Sequence, residues 1–359
     1  MPVVTIHKID DLYSFINSHQ GESDWTIVLR PGVYELDPDP INFLPNMTLI
    51  GQEGNAEKVI IDASKLIGKN VVISLEDLNR AGAIRMGNGY NSLEWVTVVN
   101  FADNQLRALV QTDIIPIPNI SQVTDVKVAH CFLKGADIGL CIGNLEKRAN
   151  SRIIKARIYE NKISMNATAN PKDYFMMGIF IINRKNTNGV IDVMMENNSV
   201  FENGSGLVAM NVSTDGNISI ISKNDKFFNN GTGIALMGGY NQSPGFKSKN
   251  NKTKFQAEGA SVFHNVGFRP SPILRGVMCG LFAAGGTVYG PDLDDTVENN
   301  RVEAVFKRSI IDQNRPDADV LSFETYTNSD VGQPLTQFVG SGNTCAVDTT
   351  TDPNNFIGP

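Results

Sequence analysis

Two successive stretches, VIDVMMENNSVFENGSGLVAM from Val190 and NISIISKNDKFFNNGTGIALM from Asn217, are copies of one pattern offset by 27 residues. In that register Phe201-Glu202-Asn203-Gly204 lies over Phe228-Asn229-Asn230-Gly231. Each copy reads as a β-rich run, an Asn-containing turn, a short strand, an Asn-Gly turn and a second apolar strand. A unit this small cannot bury a face alone, but a stack of such units can. A repeat of this length with three short strands is the mark of a β-solenoid.

The 359 residues carry 41% hydrophobic and 19% charged side chains, which is ample for a core. Thirty-two glycines and recurrent Asn suit many tight turns. A formal charge of −7 with no basic cluster argues against nucleic acid as a partner. No run of eighteen apolar residues is present, so no membrane span is expected. The first residues, MPVVTIHKIDDLYSF, lack a basic segment followed by an apolar one. That fits a cytoplasmic protein, or a secreted one whose leader has been removed. Cys131, Cys141, Cys279 and Cys345 have no metal-ligand spacing and read as reduced thiols.

Leu12, Phe15 and Ile16 are spaced as on a helix over Ile9 to Ser18. The exposed edge of a solenoid needs cover, so this segment reads as an N-terminal capping helix. The predicted organisation is a cap over residues 1–24, the solenoid over 25–327, and an irregular tail over 328–359 packed along it.

The opening TIVLRPGVY and the later E-N-x-x-x-x-x-N-G-x-G-[IL] units resemble right-handed parallel β-helices of the pectin-lyase-like superfamily. The resemblance covers about Trp25 to Thr327 and implies an all-β fold with three short strands per coil. It also implies a carbohydrate-active protein, a lyase, hydrolase or epimerase, acting on a saccharide. The superfamily holds non-catalytic members as well. The usual motifs are missing. The Arg269–Arg275 segment RPSPILR has the wrong spacing for a pectate lyase, and no histidine lies between two glycines as in polygalacturonases.

In the resembling enzymes, chemistry sits on the outward face of the strand after the Asn-Gly turn. Here those strands read GLCIG, GIFII, GLVAM, GIALM and GLFAA. Alternation turns Leu140, Ile179, Leu207, Ile234 and Leu281 inward. It turns Cys141, Phe180, Ile182, Val208, Met210, Ala235, Met237, Phe282 and Ala284 outward. A strand apolar on both faces is normally buried on both. Something is therefore expected to cover this strip: a loop, the tail, a second copy in a homo-oligomer, or a small apolar ligand held on Phe180, Met210, Met237 and Phe282.

Two polar columns also follow from stacking. Asn161, Asn197 and Asn224 recur at one turn and suggest a hydrogen-bonded ladder. Aligning the Phe-x-Asn turns places Glu202, Asn229 and His264 in one column, with Asp312 following and Lys134 preceding. Glu202, His264 and Asp312 are the candidates for acid-base chemistry, and the simpler reading of the column is a hydrated turn. No cofactor is implied, and the acidic loop at Asp292, Asp294 and Asp295 is the one candidate for Ca²⁺ through oxygen ligands.

Overall fold

Short strands can bury an apolar face only when coils stack, and the described strands stack coil on coil. The structure is a computed structural model. It describes residues 1–66, 82–102, 108–112, 123–144, 153–164, 176–241, 247–265, 279–289, 296–314, 318–328, 341–349 and 355–357.

Three sheets run side by side. Sheet A has eleven strands, from Val3–Ile6 to Thr344–Asp348, and sheet B has ten, from Gly32–Glu35 to Phe356–Ile357. Sheet C runs through nine strands from Ile41–Asn42 to Ala318–Asn328, with Lys247–Lys249 and Thr296–Glu298 beside it. Neighbouring strands are parallel and come from successive coils. The twin copies stack in the register that their sequences share: Val190 on Asn217, Phe201 on Phe228, Leu207 on Ile234. The chain is a right-handed parallel β-helix, as parallel crossover connections require.

Sheet A alternates cleanly. In Val190–Glu196 the side chains of Ile191, Val193 and Met195 are buried, while Asp192 and Met194 are exposed. Sheet C does not alternate, and Ser205–Thr214 is buried at every position but the last. Its inward row, Leu140, Ile179, Leu207, Ile234 and Leu281, joins the main core. Its outward row forms a second core.

Each corner carries a ladder of buried amides. At the A-to-B corner the Nδ2–H of Asn161 donates to Oδ1 of Asn198 at 3.0 Å, and that of Asn198 to Oδ1 of Asp225 at 2.8 Å. This corrects the expected ladder by one residue. Asn197 and Asn224 instead occupy the exposed position before it, at φ near +57° and +52°. At the B-to-C corner Asn203, Asn230, Asn265 and Asn314 are linked at 2.9, 3.0 and 2.7 Å. At the C-to-A corner Asn251, Asn300 and Asn343 are linked at 2.8 and 3.2 Å.

The ladder explains the second glycine of each Asn-Gly-x-Gly unit. A Cβ on Gly233 would lie 2.6 Å from the carbonyl oxygen of Gly280 and 2.9 Å from Nδ2 of Asn265. Only glycine leaves room there for the next rung.

At the N-terminal end, helix Ile9–Ser18 forms as its spacing predicts and buries Leu12 and Ile16. Sheet A already begins within this segment, because Val3–Ile6 pairs with Thr26–Leu29. At the other end the expectation of an irregular tail is corrected. Thr344–Asp348 pairs with the Arg301–Lys307 strand and Phe356–Ile357 with Ile310–Asp312, so both continue the stack. Burial pushes the Cys131 thiol up to about 12.

Candidate functional site

The outward strip of sheet C is buried. Phe180, Met210, Met237 and Phe282 each have no exposed surface. They pack with Cys141, Val208, Ala235 and Ala284, and Leu321, Phe323 and Tyr326 of Ala318–Asn328 lie against them. The four side chains expected to hold an apolar ligand are thus buried among their neighbours on the strip. The alternation argument is right about which side chains point outward.

The turn column does not assemble. Asp312 is in register with Phe263, Phe228 and Phe201, so it continues an aromatic stack and lies outside the Glu202 column. Those rings are 5.1 and 5.4 Å apart and nearly parallel. Lys134 belongs to this same column, through Ser164. The residue that follows His264 is Gln313, whose Oε1 is bonded to the His264 ring. Glu202 and His264 are two coils apart, roughly 10 Å at ~4.8 Å per coil. Glu202, Asn229, His264 and Gln313 share a left-handed backbone, φ between 53° and 58°. A polar column follows from that turn geometry, since Asn and other polar residues tolerate it best.

Among the described residues no group of three His, Cys, Asp or Glu side chains is placed to hold a metal ion. Asp292, Asp294, Asp295 and the segment 269–275 lie outside the described residues.

An open site forms on the outward face of sheet A. Strands Tyr90–Glu94, Val123–Ala129, Ile153–Tyr159 and Val190–Glu196 lie side by side there. A shallow depression of about 450 Å³ is lined by Tyr90, Lys127, Ala129, His130, Arg157, Tyr159, Glu160, Glu196 and Asn197. Its floor is low because Ala129 stands in register between Glu94 and Tyr159. A second depression of about 370 Å³ adjoins it over Arg157, Asp192, Met194 and Ile221.

The walls are held in place by paired contacts. Arg157 donates to Oδ1 of Asp125 at 2.8 Å and lies over the Tyr90 ring, 5.1 Å from its centre. Lys127 donates to Oε2 of Glu94 at 2.8 Å. Nδ1 of His130 is 3.2 Å from Oε2 of Glu160, and the ring stacks on Trp95 at 3.9 Å. The Tyr159 hydroxyl donates to Sδ of Met194 at 3.2 Å. Burial works to raise the Glu94 carboxyl, but the Lys127 and Ser92 hydrogen bonds hold it below the usual range. Burial likewise opposes charge on Arg157, and the Asp125 bond keeps the guanidinium above its ordinary value.

Two phenol rings, two fixed cations and several carboxylates thus converge on one solvated face. Such a surface can stack on C–H-rich rings and exchange many hydrogen bonds with a hydroxylated ligand. Sequence reading missed it because Tyr90 and Tyr159 are 69 positions apart. The register puts Tyr90 level with Lys155, two strands away and four residues before Tyr159, so the two rings stand at opposite ends of one depression.

No family model matches the chain, and no curated protein sequence matches it. Its fold is similar to that of solved β-helix structures. A pectate lyase aligns at 11% identity over 89% of this chain and 72% of the other, with a TM-score of 0.43. A pectin methylesterase from Erwinia chrysanthemi aligns at 10% identity over 95% and 93%, with 0.40. The A-module of a mannuronan C-5 epimerase from Azotobacter vinelandii aligns at 13% identity over 98% and 93%, with 0.34. At such values the assignment of this chain to the right-handed parallel β-helices rests on its own strand pairing. No helix is long and apolar enough to cross a membrane among the described residues.

Proposed function

We propose that the chain is a carbohydrate-binding β-helix that takes its saccharide on the outward face of sheet A, across the Tyr90–Tyr159 depression. The observation that carries this reading is the convergence of both tyrosines with Arg157 and Lys127 on one open face. Aromatic faces with a few fixed polar groups suit sugar rings, which present C–H patches between hydroxyls.

Recognition is better supported than bond cleavage. A lyase acting on a uronate needs a cation to neutralise its substrate, and both Lys127 and Arg157 are already held by carboxylates. The candidate acid-base column at Glu202 and His264 lies at the far end of sheet B, past its short strands, and away from this face.

The test is calorimetric titration with a panel of neutral, amino and uronic oligosaccharides, on the parent protein and on Tyr90→Ala and Tyr159→Ala. The expected outcome is binding of at least one class, with affinity lowered about tenfold or more by either substitution while the fold is kept, the loss typical of a central aromatic contact. Equal affinity in parent and both variants would overturn the site.

A further inference from the structure

The reach of the ligand follows from where the two tyrosines stand. Tyr90 pairs with Asp125 and Asp125 with Lys155, four residues before Tyr159 on the same strand. Four residues along a strand are ~13 Å and two strand spacings ~10 Å, which puts the two α-carbons roughly 16 Å apart on the diagonal. Lys127 marks the midpoint of that line. It lies one strand across and two residues on from Tyr90, and the same step again reaches Tyr159.

Polar groups flank the line on both sides. Lys127 is drawn to Glu94 on one side of it, and Arg157 to Asp125 on the other. Both pairs keep N–H donors and carboxylate acceptors beside the path, where sugar hydroxyls can bond to either. Ala129, next along from Lys127 on this face, offers only a methyl group. Tyr90 is 40% exposed at one end, and at the other the Tyr159 ring is part-exposed, its hydroxyl tied to Met194.

A glycan chain advances by roughly 5 Å per unit, about one strand spacing. A single sugar therefore covers one tyrosine, a disaccharide falls short of the second, and four units rest on both. Two contacts joined by a linker that spans them reinforce each other, and a linker too short to span them gains nothing.

We infer that Tyr90 and Tyr159 are two separate subsites for one extended glycan of four or more units, laid diagonally across strands Tyr90–Glu94, Val123–Ala129 and Ile153–Tyr159. This rests on the saccharide reading above and narrows it to a chain. A single sugar or a disaccharide is held at one end only.

The experiment titrates oligomers of glucose, N-acetylglucosamine and galacturonate, of one, two, four and six units, into the full chain and into Tyr90→Ala and Tyr159→Ala. In the chemistry that binds, affinity is expected to rise about tenfold or more between two and four units. Each substitution is expected to bring the tetramer down to about the affinity of the disaccharide. The disaccharide itself should stay within about twofold in either variant, because the remaining ring still serves it. Loss of fold would instead weaken both lengths together. A disaccharide that binds as tightly as the tetramer, or a length preference that survives in either variant, overturns this inference and leaves saccharide binding standing. Binding of none of the three chemistries at any length overturns both.

Discussion

Asp225 is where the A-to-B ladder changes chemistry. Asn198 donates to its Oδ1 through both its N–H and its Nδ2–H at 2.8 Å, and the Ser222 hydroxyl donates to Oδ2 at 2.6 Å. Burial nevertheless outweighs these donors and pushes the carboxyl up to about 6 from 3.8. The folded chain therefore binds this proton more readily than the unfolded chain does. With respect to this group, stability is highest below about pH 4, falls as pH rises through about 6, and is level above that. A shift of that size corresponds to ~2–3 kcal/mol. Asp225→Asn, which keeps the shape and removes the charge, should raise stability at neutral pH by up to that amount and flatten the curve between the two pH values. Urea unfolding of both proteins across this range checks it; parallel pH curves would contradict the assignment.

Among the elements, the strands of sheet C show what a sequence pattern can and cannot disclose. Their alternation correctly assigns Leu207 inward and Met210 outward, since side-chain direction is a local property of a strand. The same pattern is silent on what covers Met210, because cover is a matter of tertiary packing. Motif alignment by the recurring Glu-Asn pair set Asn161 beside Asn197, but the strands pair Tyr159 with Glu196, so Asn161 meets Asn198. The left-handed residue before each rung is polar too, and the two positions exchange easily in a motif. Asp312 was misplaced by the same single step. The depression on sheet A was not legible, because polar outward positions read as ordinary solvated sheet until register sets Tyr90, Arg157 and Tyr159 on one face. The glycines were legible as turns, though not as the room left for a ladder. Gly233→Ala should lower stability by about 1–3 kcal/mol, as overpacking does, because the new Cβ would stand 2.6 Å from Cγ1 of Val262 as well as from the Gly280 oxygen. An unchanged denaturation midpoint would show that the coil spacing relaxes more freely than these contacts indicate.

Over the whole molecule, the solenoid offers two long outer faces of opposite character. The central strands of sheet C are apolar and buried on both sides, while sheet A is dry inside and charged, aromatic and solvated outside. The proposed saccharide site lies on the second. Methionines report on both faces: Met194 is 40% exposed beside Tyr159, whereas Met210 and Met237 are fully buried. Hydroxyl-radical footprinting with and without a bound oligosaccharide therefore tests the claim directly. The account predicts oxidation of Met194 that the saccharide suppresses, with Met210 and Met237 unreactive in both states. Reactive Met210 and Met237 that the saccharide protects, with Met194 unaffected, would place the ligand on sheet C and contradict it.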